Sequence, residues 1–440
     1  MKHGSKAGAH GARFWLVLLA LVGILSLVAL SCGGGEKKEE AATTPSGGTT
    51  PAAAKGQLKI GILFDFTGDL AEFGPNMLNG ANLAAKEIND AGGVMGQDIV
   101  LKQADSQTSP TAAVDAARQL VESDKVSAII GSLSSGVTVA VADAVTIPDK
   151  IVQISPASTS PALTTMVDGD FLFRTTLSDA AQGLILGKLA KELGYSKVAT
   201  LYVNNAYGQG LSENFKKSFE AEGGTVTAEV PHEQEQASYL SELQKATEGK
   251  PDAIAALSYP QSATVYLKEG FENNLIKNVL FCDGTKSKDI ITAVGADKLE
   301  GMEGTVSAAA AVPTAWKDEF AAAYGELPPL PYIAESYDAV IMVALGAEKA
   351  QSTDPAKIRD AMRTLNDASG EKITPGAAGI KKALDLIHQG KAINFQGASG
   401  FSGWDKNGDL PSGHIEIWKY TTADPSGIAT VRTEPVTLTP

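Results

Sequence analysis

Apolar and polar positions along the chain fall into two recurring patterns. "LKIGILFDF", beginning at Leu58, is a short apolar run, and "NMLNGANLAAKEINDAGG" after it repeats its apolar residues at three- and four-residue spacing until Gly92 and Gly93 stop it. The pair then recurs: "QDIVLKQAD" reads as strand, "PTAAVDAARQLVES" as helix with Pro110 at its start, "VSAIIGS" as strand, "GVTVAVADAVTIPD" as helix and "IVQISP" as strand. Short strands alternating with helices predict βαβ units on a parallel sheet. After Thr176 the rhythm begins again, with "KVATLYVNN", "TVTAEVPH", "DAIAALSYP" and "NVLFCDG" as strands between helices such as "AAQGLILGKLAKELGY" and "GLSENFKKSFEAEGG". The two halves share this rhythm but no residue-level repeat. From about Val306 helices dominate, notably "YIAESYDAVIMVALGAEKA", and "HIEIWKY" is the last predicted strand. The expected fold class is α/β, with two doubly wound parallel-sheet lobes in series.

Length agrees, since 440 residues exceed what one hydrophobic core usually serves. The N-terminus stands apart from that pattern. Lys2, Lys6 and Arg13 precede the uncharged run Phe14 to Leu30, and small residues surround Cys32, which together read as an export signal over residues 1–31. The alternative is an uncleaved anchor of 17 apolar residues, at the short end for spanning a membrane. Residues 32–57, rich in Gly, Pro, Thr and charge with no large aliphatic group, predict a disordered tether. Either way the bulk of the chain is expected outside the cytoplasm.

The formal charge is −14, and the segment 1–31 holds three basic and no acidic residues, so its removal leaves −17. Such a surface repels phosphate backbones and disfavours nucleic acid as a partner. The two cysteines, Cys32 and Cys282, offer no disulfide framework if Cys32 is modified, and the five histidines show no paired ligand spacing. No metal or other cofactor is expected. "DKNGDLPSGHIE" places Asp405, Asn407, Asp409 and Glu416 at calcium-loop positions, but Leu410 stands where that loop needs glycine. Asn407-Gly408 is equally a hairpin signal, and no glycine-rich phosphate loop follows any strand.

Ligands of open α/β sheets bind beyond the carboxyl ends of the strands. Those ends carry hydroxyls in the first half: "SLSSG" with Ser132, Ser134 and Ser135, then "SPASTSPALT" with Ala157, Ser158 and Thr159. In the second half they carry "NNAYGQG" with Tyr207, "SYPQS" with Tyr259 and "CDGTK" with Asp283. The serine loop is a damaged nucleophile elbow, S-x-S-x-G instead of G-x-S-x-G, and a hydrolase is the weaker reading. The simpler one has Ser134 and Ser135 capping a helix whose free N–H groups attract a carboxylate. Asp283 would suit an ammonium group, with Tyr207 and Tyr259 closing round it.

Taken in order, "KIGILFDFTGDLAEFG", "GANLAAKEINDAGGVMGQDIVL", "IIGSLSSG", "ISPASTSPALT", "FRTTLSDAAQG", "LYVNNAYGQG" and "GASGFSGWDKNGD" resemble the type I periplasmic binding proteins of the leucine/isoleucine/valine class, the solute receptors of ABC importers. Cysteine followed by "GGG" likewise resembles a bacterial lipoprotein signal, implying lipidation at Cys32. The family implies two lobes hinged by three crossings, near Thr176, Ser307 and Gly400, so that residues 58–176 with 307–399 make one lobe and 177–306 with 400–440 the other. It implies a monomeric, non-enzymatic receptor, anchored by lipid, that closes on a small molecule and serves a membrane permease. Carried over by position, Ser135 and Thr159 would hold a ligand carboxylate with the backbone of Ala157, beside Ser134 and Ser158. Tyr207 and Asp283 would meet its ammonium group, Asp179 would serve as a second acid, Tyr259 would close from the far lobe, and Phe73 would cover the side-chain pocket. An amino acid, branched-chain or otherwise neutral and foremost hydrophobic, is the expected ligand. An amide, an aromatic carboxylate or a sensory role remain the alternatives.

Overall fold

The apolar run at Leu58 becomes the middle of a parallel sheet because it is buried on both faces. The computed structural model describes residues 56–438; the expected signal segment, Cys32 and all but the end of the tether lie outside the described residues. β1 (Lys59–Phe64), β2 (Val100–Asp105), β3 (Ala128–Gly131), β4 (Val152–Ser155) and β5 (Leu172–Arg174) pair in the order β2-β1-β3-β4-β5, all parallel. Successive side chains of a strand point to opposite faces. Ile60, Ile62 and Phe64 therefore pack with helices Gly74–Asp90 and Ile333–Ala350, while Leu63 packs on the other face with Ala113, Ala117 and Leu120 of helix Pro110–Glu122.

The second sheet repeats the plan. β6 (Lys197–Val203), β7 (Thr225–His232), β8 (Ala253–Leu257) and β9 (Val279–Leu280) pair in the order β7-β6-β8-β9, again parallel. In both sheets the strand order reverses beside the first strand, at β1/β3 and at β6/β8, which opens a crevice at the carboxyl ends.

After β9 the sequence signal weakens and the structure departs from the expectation of helices. β10 (Glu303–Ala308) precedes them, and β11 (Glu371–Ile373) and β12 (Ile393–Phe395) form a small parallel pair. The expected last strand is present as β13 (Ser412–Tyr420), antiparallel to β10, but it is not the last: β14 (Ile428–Thr437) returns antiparallel beside it. β14 alternates charge and short polar residues in "IATVRTEPVT" on a half-exposed edge, so it lacks the apolar run that marks the buried strands.

Helix Ile333–Ala350 is buried nearly all round, which is why its sequence is apolar on every face. It approaches helix Gly74–Asp90 at Gly80, where an added Cβ would collide with the Ile333 carbonyl oxygen. Ser336 Oγ donates to the Met77 carbonyl (2.7 Å) across that contact.

Candidate functional site

The serine loop begins at a residue that only glycine fits. Gly131 ends β3 at φ +135°, and a Cβ there would press on the Leu63 carbonyl oxygen of β1. Ser134 then occupies the cap position of helix Ser135–Val141, yet its hydroxyl does not cap it. It accepts instead from the Tyr259 hydroxyl at 3.0 Å. Ser135 Oγ accepts from the Ser160 N–H at 3.2 Å, so the capping role expected of both serines is replaced by contacts to neighbouring loops.

These loops and those of the second sheet enclose a cavity of about 20 Å³. Leu70, Phe73, Leu133, Ser135 and Ala157, with Tyr332 at the start of helix Ile333–Ala350, supply the first-sheet side; Tyr207, Tyr259, Asp283 and Gly284 supply the other. Thus Phe73, Ser135, Ala157, Tyr207, Tyr259 and Asp283, all anticipated from the sequence, meet at one place. The remaining anticipated residues lie behind this lining. Ser158 turns inward, its Oγ within 2.8 Å of Thr138 Oγ1 and donating to the Leu133 carbonyl at 3.1 Å. Thr159 Oγ1 is buried with no hydrogen-bond partner.

The two acids differ in kind. Asp283 accepts from Gln182 Nε2 (2.8 Å) and the Tyr207 hydroxyl (2.7 Å) on one oxygen and from the Tyr332 hydroxyl (2.6 Å) on the other. The acid expected to meet an ammonium group thus also serves three donors of the protein while lining the cavity. Asp179 opens helix Asp179–Glu192, is fully buried, and has neither oxygen hydrogen-bonded. Burial holds its carboxyl well above the usual range and the Asp283 charge adds to that; the neighbouring Thr159 hydroxyl and Arg174 partly offset them. Burial and Asp283 raise the phenols of Tyr207 and Tyr332 likewise, so both stay protonated donors.

Tyr207 and Tyr259 stack with ring centroids 5.4 Å apart and planes 9° from parallel. Cys282 lies under Tyr207, buried and with its thiol pushed up to about 12, mainly by desolvation. It is a packing residue rather than a thiolate. Asp409, read as a possible calcium ligand, pairs with buried Arg174 at 2.7 Å, and Arg174 also donates to the Ser160 carbonyl. Among the described residues no group of three or more His, Cys, Asp or Glu is placed to hold a metal.

Tyr332, Leu70, Leu133, Gln182 and Gly284 escaped the sequence reading. Leu70 and Gln182 sit inside quoted motifs but carry no distinctive chemistry alone. Tyr332 had a signal: "LPPLPY" fixes the backbone with three prolines and delivers one aromatic residue.

A family model described as periplasmic binding protein matches residues 57–382. The chain belongs to that family. The binding protein is 27% identical over 341 residues to the chemotactic signal transduction system substrate-binding protein BasB of Halobacterium salinarum, covering 76% of this chain and 79% of that one. It is 27% identical to Leu/Ile/Val-binding protein homolog 3 of Brucella melitensis, over 84% and 93% of the two chains. Among solved structures, the leucine-binding protein LivK of Thermotoga maritima superposes with a TM-score of 0.72 at 25% identity, over 86% of this chain and 98% of that one. The fold is thus the type I periplasmic binding protein fold with two parallel-sheet lobes. The family places the protein outside the cytoplasm, and its relatives are named as binding proteins rather than enzymes. No helix among the described residues is long and apolar enough to cross a membrane.

Proposed function

We propose that this binding protein is the solute receptor of an ABC transporter and takes a neutral amino acid in the cleft between its lobes, closing on it about a hinge. The observation that carries the reading is Asp179: a buried carboxyl with both oxygens unpartnered within the protein, next to a second acid whose oxygens are engaged. An unpaired buried carboxylate is costly, and an ammonium group supplies both charge and donors. Ser135 and the backbone at Ala157 line the cavity from the first lobe and suit the carboxylate end. No arginine lines the cavity, which favours a neutral side chain over an acidic one.

We also propose that residues 1–31 are removed, that Cys32 is lipidated, and that the monomer on its tether presents solute to the permease. The lobe limits follow the sequence reading, with 58–176 and 307–399 moving against 177–306 and 400–440. A sensory role is the second reading, favoured by the resemblance to the Halobacterium protein. A thermal-shift screen with amino acids and their methyl esters and amides tests the function: the free amino acid raises the melting temperature and the derivatives do not. Equal stabilisation by ester and free acid would contradict the carboxylate site.

A further inference from the structure

We infer that Tyr332 restricts the ligand to a short side chain, of the size of glycine, alanine or serine; this rests on the amino-acid reading above. Two cavities share this residue as a wall. In front lies the cavity of about 20 Å³ described above. Behind lies one of about 310 Å³, bounded by the strap Leu327–Pro331, by Glu335 and by the buried pair Lys286–Glu416.

Tyr332 is fixed in that partition from several directions. Its hydroxyl donates to Asp283 at 2.6 Å. Its backbone lies in the left-handed region, φ +71°, uncommon for a bulky residue and tolerated where the surroundings over-determine it. Pro331 fixes the chain immediately before it, and helix Ile333–Ala350 begins immediately after it. The side chain is 4% exposed. The front cavity is closed elsewhere by Phe73, Leu70 and Leu133, each buried. On the same measure a single water needs about 10–15 Å³, so the closed cavity holds little more than a water and any ligand must widen it; each added methylene widens it further against the Tyr332 wall, a branched side chain most of all. The space that leucine requires exists, but on the far side of the Tyr332 ring.

The test is isothermal titration of the full binding protein with two ligand series: glycine, alanine, serine and leucine, and the matching carboxylates without an amino group, from acetate to 4-methylpentanoate. Alanine is expected to bind tighter than leucine by on the order of tenfold or more, the discrimination a few methylenes give in a closed pocket. Tyr332→Ala joins the cavities and reverses that order. Tyr332→Leu, which keeps apolar bulk if alanine impairs folding, shifts it the same way. Tyr332→Phe retains the ring and keeps the short preference; loss of preference in this variant would assign it to the hydroxyl and overturn the steric argument. Leucine binding tighter than alanine in the unaltered protein, or an unchanged ratio in both truncations, overturns the inference. Binding confined to the amine-free series refutes the amino-acid reading, and the order of short and long acids within that series still decides the size limit. Binding in neither series overturns both.

Discussion

The Tyr259 hydroxyl donates to Ser134 Oγ at 3.0 Å, joining the carboxyl end of β8 to that of β3 and so linking the two sheets beside the cavity. Asn205 Nδ2 donates to the same phenol at 3.1 Å. Ser134→Ala leaves the buried phenol without its acceptor, a loss of about 1–3 kcal/mol. If the lobes make that contact only when closed, solute affinity falls roughly tenfold while the melting temperature without solute hardly moves. Titration calorimetry and melting of the variant check both; an unchanged affinity contradicts the closing role.

A second set of interlobe contacts touches no part of the cavity. Asp69 accepts from the Ser262 hydroxyl, and Glu72 accepts from the Ser287 hydroxyl and, at 2.8 Å, from the Lys288 N–H. Burial raises both carboxyls above their ordinary values. If opening exposes them, they bind protons more tightly closed than open, so closure takes up protons and solute affinity rises as pH falls toward the usual carboxylate range. Asp179, which must ionise to meet an ammonium group, acts in the opposite sense, so these two acids show in the comparison with Asp69→Asn, Glu72→Gln: from about pH 8 down to about pH 5 the affinity of the unaltered protein should rise relative to that variant. An affinity ratio between the two proteins that does not change with pH contradicts it.

Stability has its own pH dependence through Glu335, which burial pushes up to about 8 from an ordinary 4.5. A carboxyl raised in the folded state contributes stability that is complete below the unfolded value and lost as pH rises through the folded one. Glu335→Gln should match the unaltered protein near pH 4 and exceed it near pH 9 by a few kcal/mol, at ~1.4 kcal/mol per unit of pKa difference. Urea denaturation across that range measures the divergence; parallel curves would count against a buried ionising Glu335.

The central sheets were readable because buried parallel strands carry continuous apolar runs, as in "KIGILF" and "AIAAL". β14 was not, because an edge strand exposing Arg432 and Glu434 needs no such run. At the site, strand ends located Ser135, Tyr207, Tyr259 and Asp283, since the topology places those positions together whatever the side chains do. Sequence could not say which acid is free. That depends on Gln182 and Tyr332, separated from Asp283 by 101 and 49 residues, pointing their donors at one carboxylate.

The division of labour between the two acids is the central claim, and one pair of variants decides it. Asp283→Asn loses acceptor capacity that serves Gln182, Tyr207 and Tyr332, and should lower stability by a few kcal/mol as well as weaken binding. Asp179→Asn replaces a buried carboxyl whose oxygens accept no hydrogen bond in the structure and removes the cost of ionising it there, so it should leave the melting temperature equal or higher. The most direct measurement is calorimetric titration of Asp179→Asn with the amino acid that stabilises the unaltered protein. Affinity reduced on the order of a hundredfold, in a variant that melts no lower, is the predicted result; undiminished affinity would contradict the account.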